Sequence, residues 1–452
     1  MGEDFRGHDP SARSPAVRRL VLCAALAGAS LWAGSAHASG ISLGKFGGIY
    51  GHANADGGLA IYYNPARLSL DPGLYGTLDV SLVLRGASYD RETTTTNSSD
   101  PTVAAAERRF NTGEATLNNV APLPLLAIGY TADLEGIKLG GALGAFPTFG
   151  GIAEWDKKDE SAQFPGVVDG PQRWASIATR LVIINFTLAG SVTFEELGLG
   201  LGASVAYVHG DIDTVRARNL DETDALVDSA GFITEGRAHL DASDDAFAFS
   251  FGLSYERDNF KTGIHYRHSY DLELVGPIRQ AYGTNPPAPT EDGRVVMKLP
   301  AIINWAVTPR FGQFEATLAA EYATWSRLET NDVFTADTNQ RILEIPRQLE
   351  DSVGGKLIPG WHFDEHWLGS VMFGFETSAV PTETLEAGFM DAPKLQFGAG
   401  GRFDADQVKI SLSWHRDHFL EVTVDDSIQK PTANGSYRDH RDFFDITLEG
   451  RL

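Results

Sequence analysis

Along residues 197–207 the chain alternates without a fault. Leu197, Leu199, Leu201, Ala203, Val205 and Tyr207 take one side of a two-residue period, and Gly198, Gly200, Gly202, Ser204 and Ala206 take the other. Successive side chains of a strand point to opposite faces, so this is a strand with one bulky apolar face and one nearly bare face. The same grammar places Leu78, Val80, Leu82 and Leu84 against Asp79, Ser81 and Arg85, and Phe247, Phe249, Phe251 and Leu253 against Ala248, Ser250, Gly252 and Ser254. Further strands are expected over 122–132, 137–147, 174–194, 264–270, 295–307, 314–325, 349–363, 367–375, 395–403, 408–418 and 441–452. The fold class expected is all-β, a 14-stranded antiparallel transmembrane barrel with a plug in its lumen.

Loop lengths carry the membrane reading. Connections alternate between short turns, such as Arg257-Asp258-Asn259 and Asp364-Glu365-His366, and long loops over about 90–120, 148–173, 211–242 and 424–439. An outer-membrane barrel keeps short turns on its periplasmic side and long loops outside. A soluble sandwich has no reason to segregate them. Trp174, Trp325, Trp361, Trp367 and Trp414 fall near strand ends, where an interfacial girdle is expected. Residues 180–186 break the alternation, because Leu181-Val182-Ile183-Ile184 is apolar on both faces.

Composition bounds the function. The 452 residues carry a formal charge of −23, which argues against a nucleic-acid partner. Past the N-terminus there is no apolar run of the roughly 20 residues that a transmembrane helix needs. Residues 1–38 read as a signal peptide: Arg13, Arg18 and Arg19 precede an apolar stretch, and Ala36-His37-Ala38 offers a cleavage site. Cys23, the one cysteine, falls inside that segment, so the mature chain is expected to lack disulfides and thiol nucleophiles.

Residues 39–73 belong neither to the signal nor to the strands. Gly44, Gly47, Gly48, Gly51, Gly57 and Gly58 break regular structure, while Ile49, Ile61, Tyr62 and Tyr63 are too apolar for a solvated tail. The segment is read as a plug within a barrel spanning 74–452. Fourteen strands enclose a lumen wide enough to need filling, and the bare face of Gly198, Gly200 and Gly202 is where the plug would pack.

Groupings that spell catalysis dissolve on geometry. Ser411, Ser413, His415 and Asp417 share a strand face, but same-face neighbours lie about 6.5–7 Å apart, beyond the reach of a working triad. Together with Arg85, Arg267, Lys298 and Asp271 they are expected to line a polar lumen. No cofactor, no metal and no enzymatic activity are expected.

The opening glycines with Tyr63-Asn64-Pro65-Ala66 resemble the hatch of the FadL-type outer-membrane hydrocarbon and long-chain fatty acid transporters. Leu299-Pro300-Ala301, Thr324-Trp325-Ser326 and Phe443-Phe444-Asp445-Ile446 resemble that family's other signatures, and the resemblance covers nearly all of the mature chain. The chain departs from the family in ending at Leu452, where an aromatic residue is usual for recognition by the outer-membrane assembly machinery. The resemblance implies a monomer in outer-membrane lipid and lipopolysaccharide that takes up a fatty acid or hydrocarbon. It also implies capture among external loops, a second site against the hatch, and lateral exit at a kink in the third strand. The matching stretch is 144–151, with Phe146, Pro147, Phe149 and Gly150, since proline cannot donate to a ladder and belongs at an edge or bulge. Its plainer reading is a strand that ends in a loop. The functional alternative to transport is a structural or adhesive barrel.

Overall fold

The structure, a computed structural model, describes residues 42–94, 98–158, 164–283, 285–405 and 407–452. The expected signal peptide, with Cys23, lies outside the described residues. Six uninterrupted strands come first: β1 (Gly73–Arg91), β2 (Gly113–Asp133), β3 (Ile137–Glu154), β4 (Ala178–Phe194), β5 (Leu199–Arg218) and β6 (Gly236–Arg257). Two strands are each built from two pieces, β7 from Phe260–Arg267 and Tyr270–Ala281, and β8 from Glu291–Leu299 and Ile302–Phe311. Then follow β9 (Phe314–Ala323), β10 (Ser352–His362), β11 (Trp367–Glu376), β12 (Lys394–Ala405), β13 (Val408–Phe419) and β14 (Gly435–Arg451). Each strand pairs antiparallel with the next, and β14 returns to β1 from Tyr75↔Arg451 to Arg91↔Gly435, closing a barrel of 14 strands. Closure removes the unpaired backbone edges that hydrocarbon would not tolerate.

Turns of two to four residues join the strands at one end, and loops such as 92–112, 155–177 and 324–351 join them at the other. On the long-loop side the strands run further than their sequence pattern indicated: β1 reaches Arg91, β5 reaches Arg218 and β6 begins at Gly236. These extensions carry the wall past what lipid requires, and their surfaces show it. On β6 the outward positions Leu253, Phe251, Phe249 and Phe247 are exposed, a belt suited to acyl chains. Further along the same face come the exposed Asp245, Ser243 and Asp241. Inside, the order is reversed. Buried Ser254 and Ser250 lie at the short-turn end, and buried Ala242, Leu240 and Ala238 lie at the long-loop end. The barrel is apolar outside and polar inside at the level of lipid, and the reverse above it.

Strands β7 and β8 make this inversion by changing phase. In β7, His265 and Arg267 are buried toward the lumen, and after the gap at His268-Ser269 it is Tyr270, Leu272 and Leu274 that are buried. In β8 the change falls at Pro300-Ala301: Val295, Met297 and Leu299 face in before it, and Ile302, Ala306 and Thr308 face in after it. The two breaks are level, since Leu299 pairs with Tyr270 and Ile302 with Arg267. Lys298 and Asp271, expected in the lumen, are therefore on the outer face and opposite each other in the ladder. The expectation carried a single two-residue period across Pro300, and an interruption of the ladder shifts that period by one. Two of the expected girdle residues also move inside, for Trp174 and Trp325 are buried, whereas Trp361 and Trp367 are about half exposed on the outer face (49% and 51%).

Candidate functional site

Residues 44–69 fill the lumen at the level where the wall is polar inside. Their centre is the Asn64-Pro65 turn. Asn64 is wholly buried; its Oδ1 accepts from the Ala66 amide at 3.2 Å, and its Nδ2 donates to Ala53 O (3.0 Å) and to Leu253 O of β6 (3.1 Å). Pro65 then opens a short 3₁₀ turn, Pro65–Arg67, where a missing amide costs nothing. This turn lies against bare wall. A Cβ on Gly202 would sit 2.3 Å from Ala66 N and 2.4 Å from Pro65 C, and one on Gly200 would sit 2.7 Å from Ala66 O. The expected docking face is present at both positions. Gly198 differs, because it ends the β4–β5 turn at φ +64° against Glu256 O and does not touch the plug.

Charge fixes the plug at two points. Arg67, wholly buried, donates to Asp56 Oδ1 (3.1 and 2.5 Å) and to Glu256 Oε2 of β6 (2.9 Å). Burial opposes ionisation of Asp56, but Arg67 and then Lys261 hold its carboxyl well below the usual range. Near the other end Lys45 Nζ donates to Asp417 Oδ2 of β13 at 2.7 Å and lies 4.0 Å from Glu376 of β11. Between them, wall side chains accept plug amides: Asp79 takes Gly47 N (3.0 Å), Ser413 takes Ile49 N (3.4 Å) and Glu449 takes Gly58 N (3.0 Å). Ser413 and Asp417 of this row thus hold the plug, while His415 between them stacks on Phe443 of the wall at 4.3 Å between ring centroids. His52, enclosed in the lumen, has its pKa pushed down to about 3, first by burial and then by Lys356.

Of the other expected lumen residues, Arg85 is buried and pairs with Asp439 at 2.7 Å. Arg267 lies 4.4 Å from the ring centre of Tyr62 and donates to Tyr62 O at 3.1 Å. Tyr62 in turn meets Phe46, Tyr63 and Phe146 edge-on, at 5.0, 4.8 and 5.4 Å. Phe146 is where the plug meets the third strand.

That strand changes partners at this point. The β2–β3 ladder ends at Leu126↔Ala145, and β3 continues to Glu154 without β2, still paired with β4 on its other side. Its register with β4 jumps between Pro147 and Phe149, a bulge at Thr148, and Gly150 follows at φ +154° with Leu181 O where a Cβ would stand (2.6 Å). The edge that β2 leaves is taken by the plug: Ser42 pairs with Gly150, Leu43 with Phe149, and Gly44 N donates to Thr148 O at 2.9 Å. Pro147 therefore marks a bulge within a continuing strand, not its end.

Above the plug the inverted wall encloses an apolar chamber. A cavity of about 120 Å³ in it is walled by Leu181, Leu240, Ile278, Val295, Met297 and Phe389. Loops 324–351 and 377–393 close it, and they bring charge with them: Arg347 lies 2.8 Å from Glu386 and 4.4 Å from the ring centre of Phe389. Arg216 of β5 joins them, buried, with its Nε unpartnered among the described residues. Sequence reasoning did not find these residues. The one signal was the doubly apolar run at 181–184, where Leu181 and Ile183 face the chamber while Val182 and Ile184 face out.

A closed 14-strand barrel with an apolar belt and a filled lumen is an outer-membrane architecture, and its particular form is that of the FadL-type barrels. No protein-family model matches the chain, and no curated protein matches it by sequence. Solved structures do match. A FadL homologue of Pseudomonas aeruginosa superposes with a TM-score of 0.72 at 13% identity, over 91% of this chain and 100% of the homologue. The toluene transporter TodX of P. putida gives 0.61 at 18% identity, over 88% and 94% of the two chains. The monoaromatic hydrocarbon channel CymD gives 0.60 at 14%, over 90% and 95%. At such identities the likeness establishes the fold.

Proposed function

We propose that the protein is a channel for passive uptake of hydrophobic small molecules, long-chain fatty acids or related hydrocarbons, through the outer membrane. Residues 1–38 are its signal peptide and residues 39–73 its hatch. A ligand is captured among the long loops, descends past the moving hatch, and leaves sideways through the wall. The observation that carries this reading is the apolar chamber set over a polar, filled lumen. An apolar solute gains by leaving water for the chamber. It gains nothing from the short-turn mouth, where a cavity of about 420 Å³ is lined by Asp71, Glu256, Lys261, Arg402, Asp404 and Lys409. The end of the β2–β3 ladder at Ala145 supports exit through the wall instead. The names of the matching structures, a toluene transporter and a monoaromatic hydrocarbon channel, support the same substrate class.

Arg216 favours an acidic head over a plain hydrocarbon within that class. A buried guanidinium with an open donor stabilises a carboxylate far more than it stabilises a ring. In a strain expressing the protein, uptake of laurate should exceed that of an empty strain, and Arg216→Met should reduce it about tenfold or more while leaving toluene uptake within about twofold. Equal laurate uptake by expressing and empty strains would sink transport and leave the structural or adhesive barrel as the better reading.

A further inference from the structure

The two ionic anchors of the plug are not equivalent. Arg67 is wholly enclosed and holds both Asp56 and Glu256, so parting it from them would strand a buried guanidinium. Lys45 is placed otherwise. Asp417 also accepts from Gln396 Nε2 at 3.0 Å, and Glu376 also pairs with Lys394 at 2.7 Å. When Lys45 leaves, Glu376 keeps its cation and Asp417 keeps an amide donor, and Lys45 itself is partly exposed where Arg67 is not, which lowers the penalty for opening this pair.

Lys45 also stands on the dividing wall of two cavities. One of about 50 Å³ adjoins the apolar chamber through Phe389 and is lined by Lys45, Glu321, Glu376 and Lys394. Another of about 50 Å³ lies deeper against the plug, lined by Gly51, Tyr62 and Tyr63, and shares Lys45, Glu321 and Glu376 with the first. Lys45 is the plug's own contribution to that dividing wall, whereas Glu321 and Glu376 belong to the barrel. Beside it Gly47 and Gly48 take φ of +68° and +52°, and a Cβ on Gly48 would overlap Ser413 and Asp445, so glycine is what lets the backbone next to Lys45 seat against the wall.

We infer that Lys45 is the latch of the plug: its pair with Asp417 and Glu376 holds residues 44–58 shut, Arg67 remains the fixed anchor, and release at Lys45 opens the route past the plug. This rests on the transport reading for its purpose but not for its test. In a chain carrying Cys23→Ser and Ile49→Cys, the new thiol replaces a side chain buried against Ile358, Leu368 and Met372. Its reaction with a water-soluble maleimide reports opening of the plug. Lys45→Met should label about tenfold faster, the factor equivalent to about 1.4 kcal/mol, and Lys45→Arg should label close to the parent rate. Heat-modifiable mobility on a gel confirms an intact barrel in each case. If Lys45→Met does not assemble, Lys45→Gln takes its place in the same comparison. Equal labelling of the neutral variant and the parent overturns the latch. Faster labelling without laurate uptake upholds the latch and counts against the transport reading alone.

Discussion

Gly202 shows how much a missing side chain can decide. Its absent Cβ leaves room for the backbone of Pro65 and Ala66, and backbone cannot step aside as a flexible side chain would. Gly202→Ala is therefore expected to weaken docking of residues 44–69 by about 1–3 kcal/mol, seen as faster amide exchange there with the barrel intact. Gly190→Ala, where the nearest atom is Gly140 O at 3.9 Å on the outer side, should change nothing. Exchange unaltered by Gly202→Ala would refute the close docking. His52 makes the plug sensitive to acid. Its docked pKa, about 3, lies below the ordinary 6.5, so the docked state disfavours the proton and its stability is present above pH 6.5. That contribution falls as pH drops from 6.5 toward 3. Asp56, also depressed, acts in the same direction at lower pH. Plug amides, corrected for intrinsic rates, should exchange faster at pH 5 than at pH 8, and His52→Gln should flatten the difference. An undiminished difference in that variant would place the sensitivity elsewhere.

At the scale of elements, β3 is the strand that does not fit its neighbours. Between Gly113 and Leu125, β2 has β1 on one side and no ladder to β3 on the other, where Asn119 Nδ2 reaches Ile152 O (2.8 Å) and Asp156 N reaches Thr116 O (2.9 Å). Amides of 114–124 that face β3 should therefore exchange about tenfold or more faster than those of 126–133 that face it. Equal protection along both halves would mean the wall is closed there. Proline and glycine at 147 and 150 pointed to a bend, and sequence left open whether the strand continued. The register with β4 settles that, and pairing of Ser42–Leu43 with β3 had no local signal at all. Residues more than a hundred positions apart were matched by shape, which no local pattern records.

Over the whole molecule, strand number, closure and the placing of long loops were legible because a two-residue period and turn residues are local properties of the chain. The plug was legible too, as a segment that fits no strand yet is too apolar to be solvated. The errors were errors of phase. A two-residue period carried across Pro300 and His268-Ser269 puts Lys298 and Asp271 inside, and the one-residue slip at each interruption exchanges inside for outside. Trp174 and Trp325 lie near strand ends as girdle residues do, but both belong to loops that turn inward: Trp174 packs with Arg173 at 4.9 Å, and Trp325 meets Phe149 of β3 at 5.8 Å.

What the chain alone determined is a plugged outer-membrane wall, since alternation, bare glycine faces and loop lengths follow from each residue's own chemistry and its near neighbours. Tertiary structure alone decided the chamber above it, with Arg216, Arg347, Glu386 and Phe389 drawn together from a strand and two loops. It also decided the pairing of Lys45 with Asp417, across 372 positions of sequence. Both depend on which faces meet once the barrel closes. Closure is a property of all the strands together, so no stretch of sequence holds it.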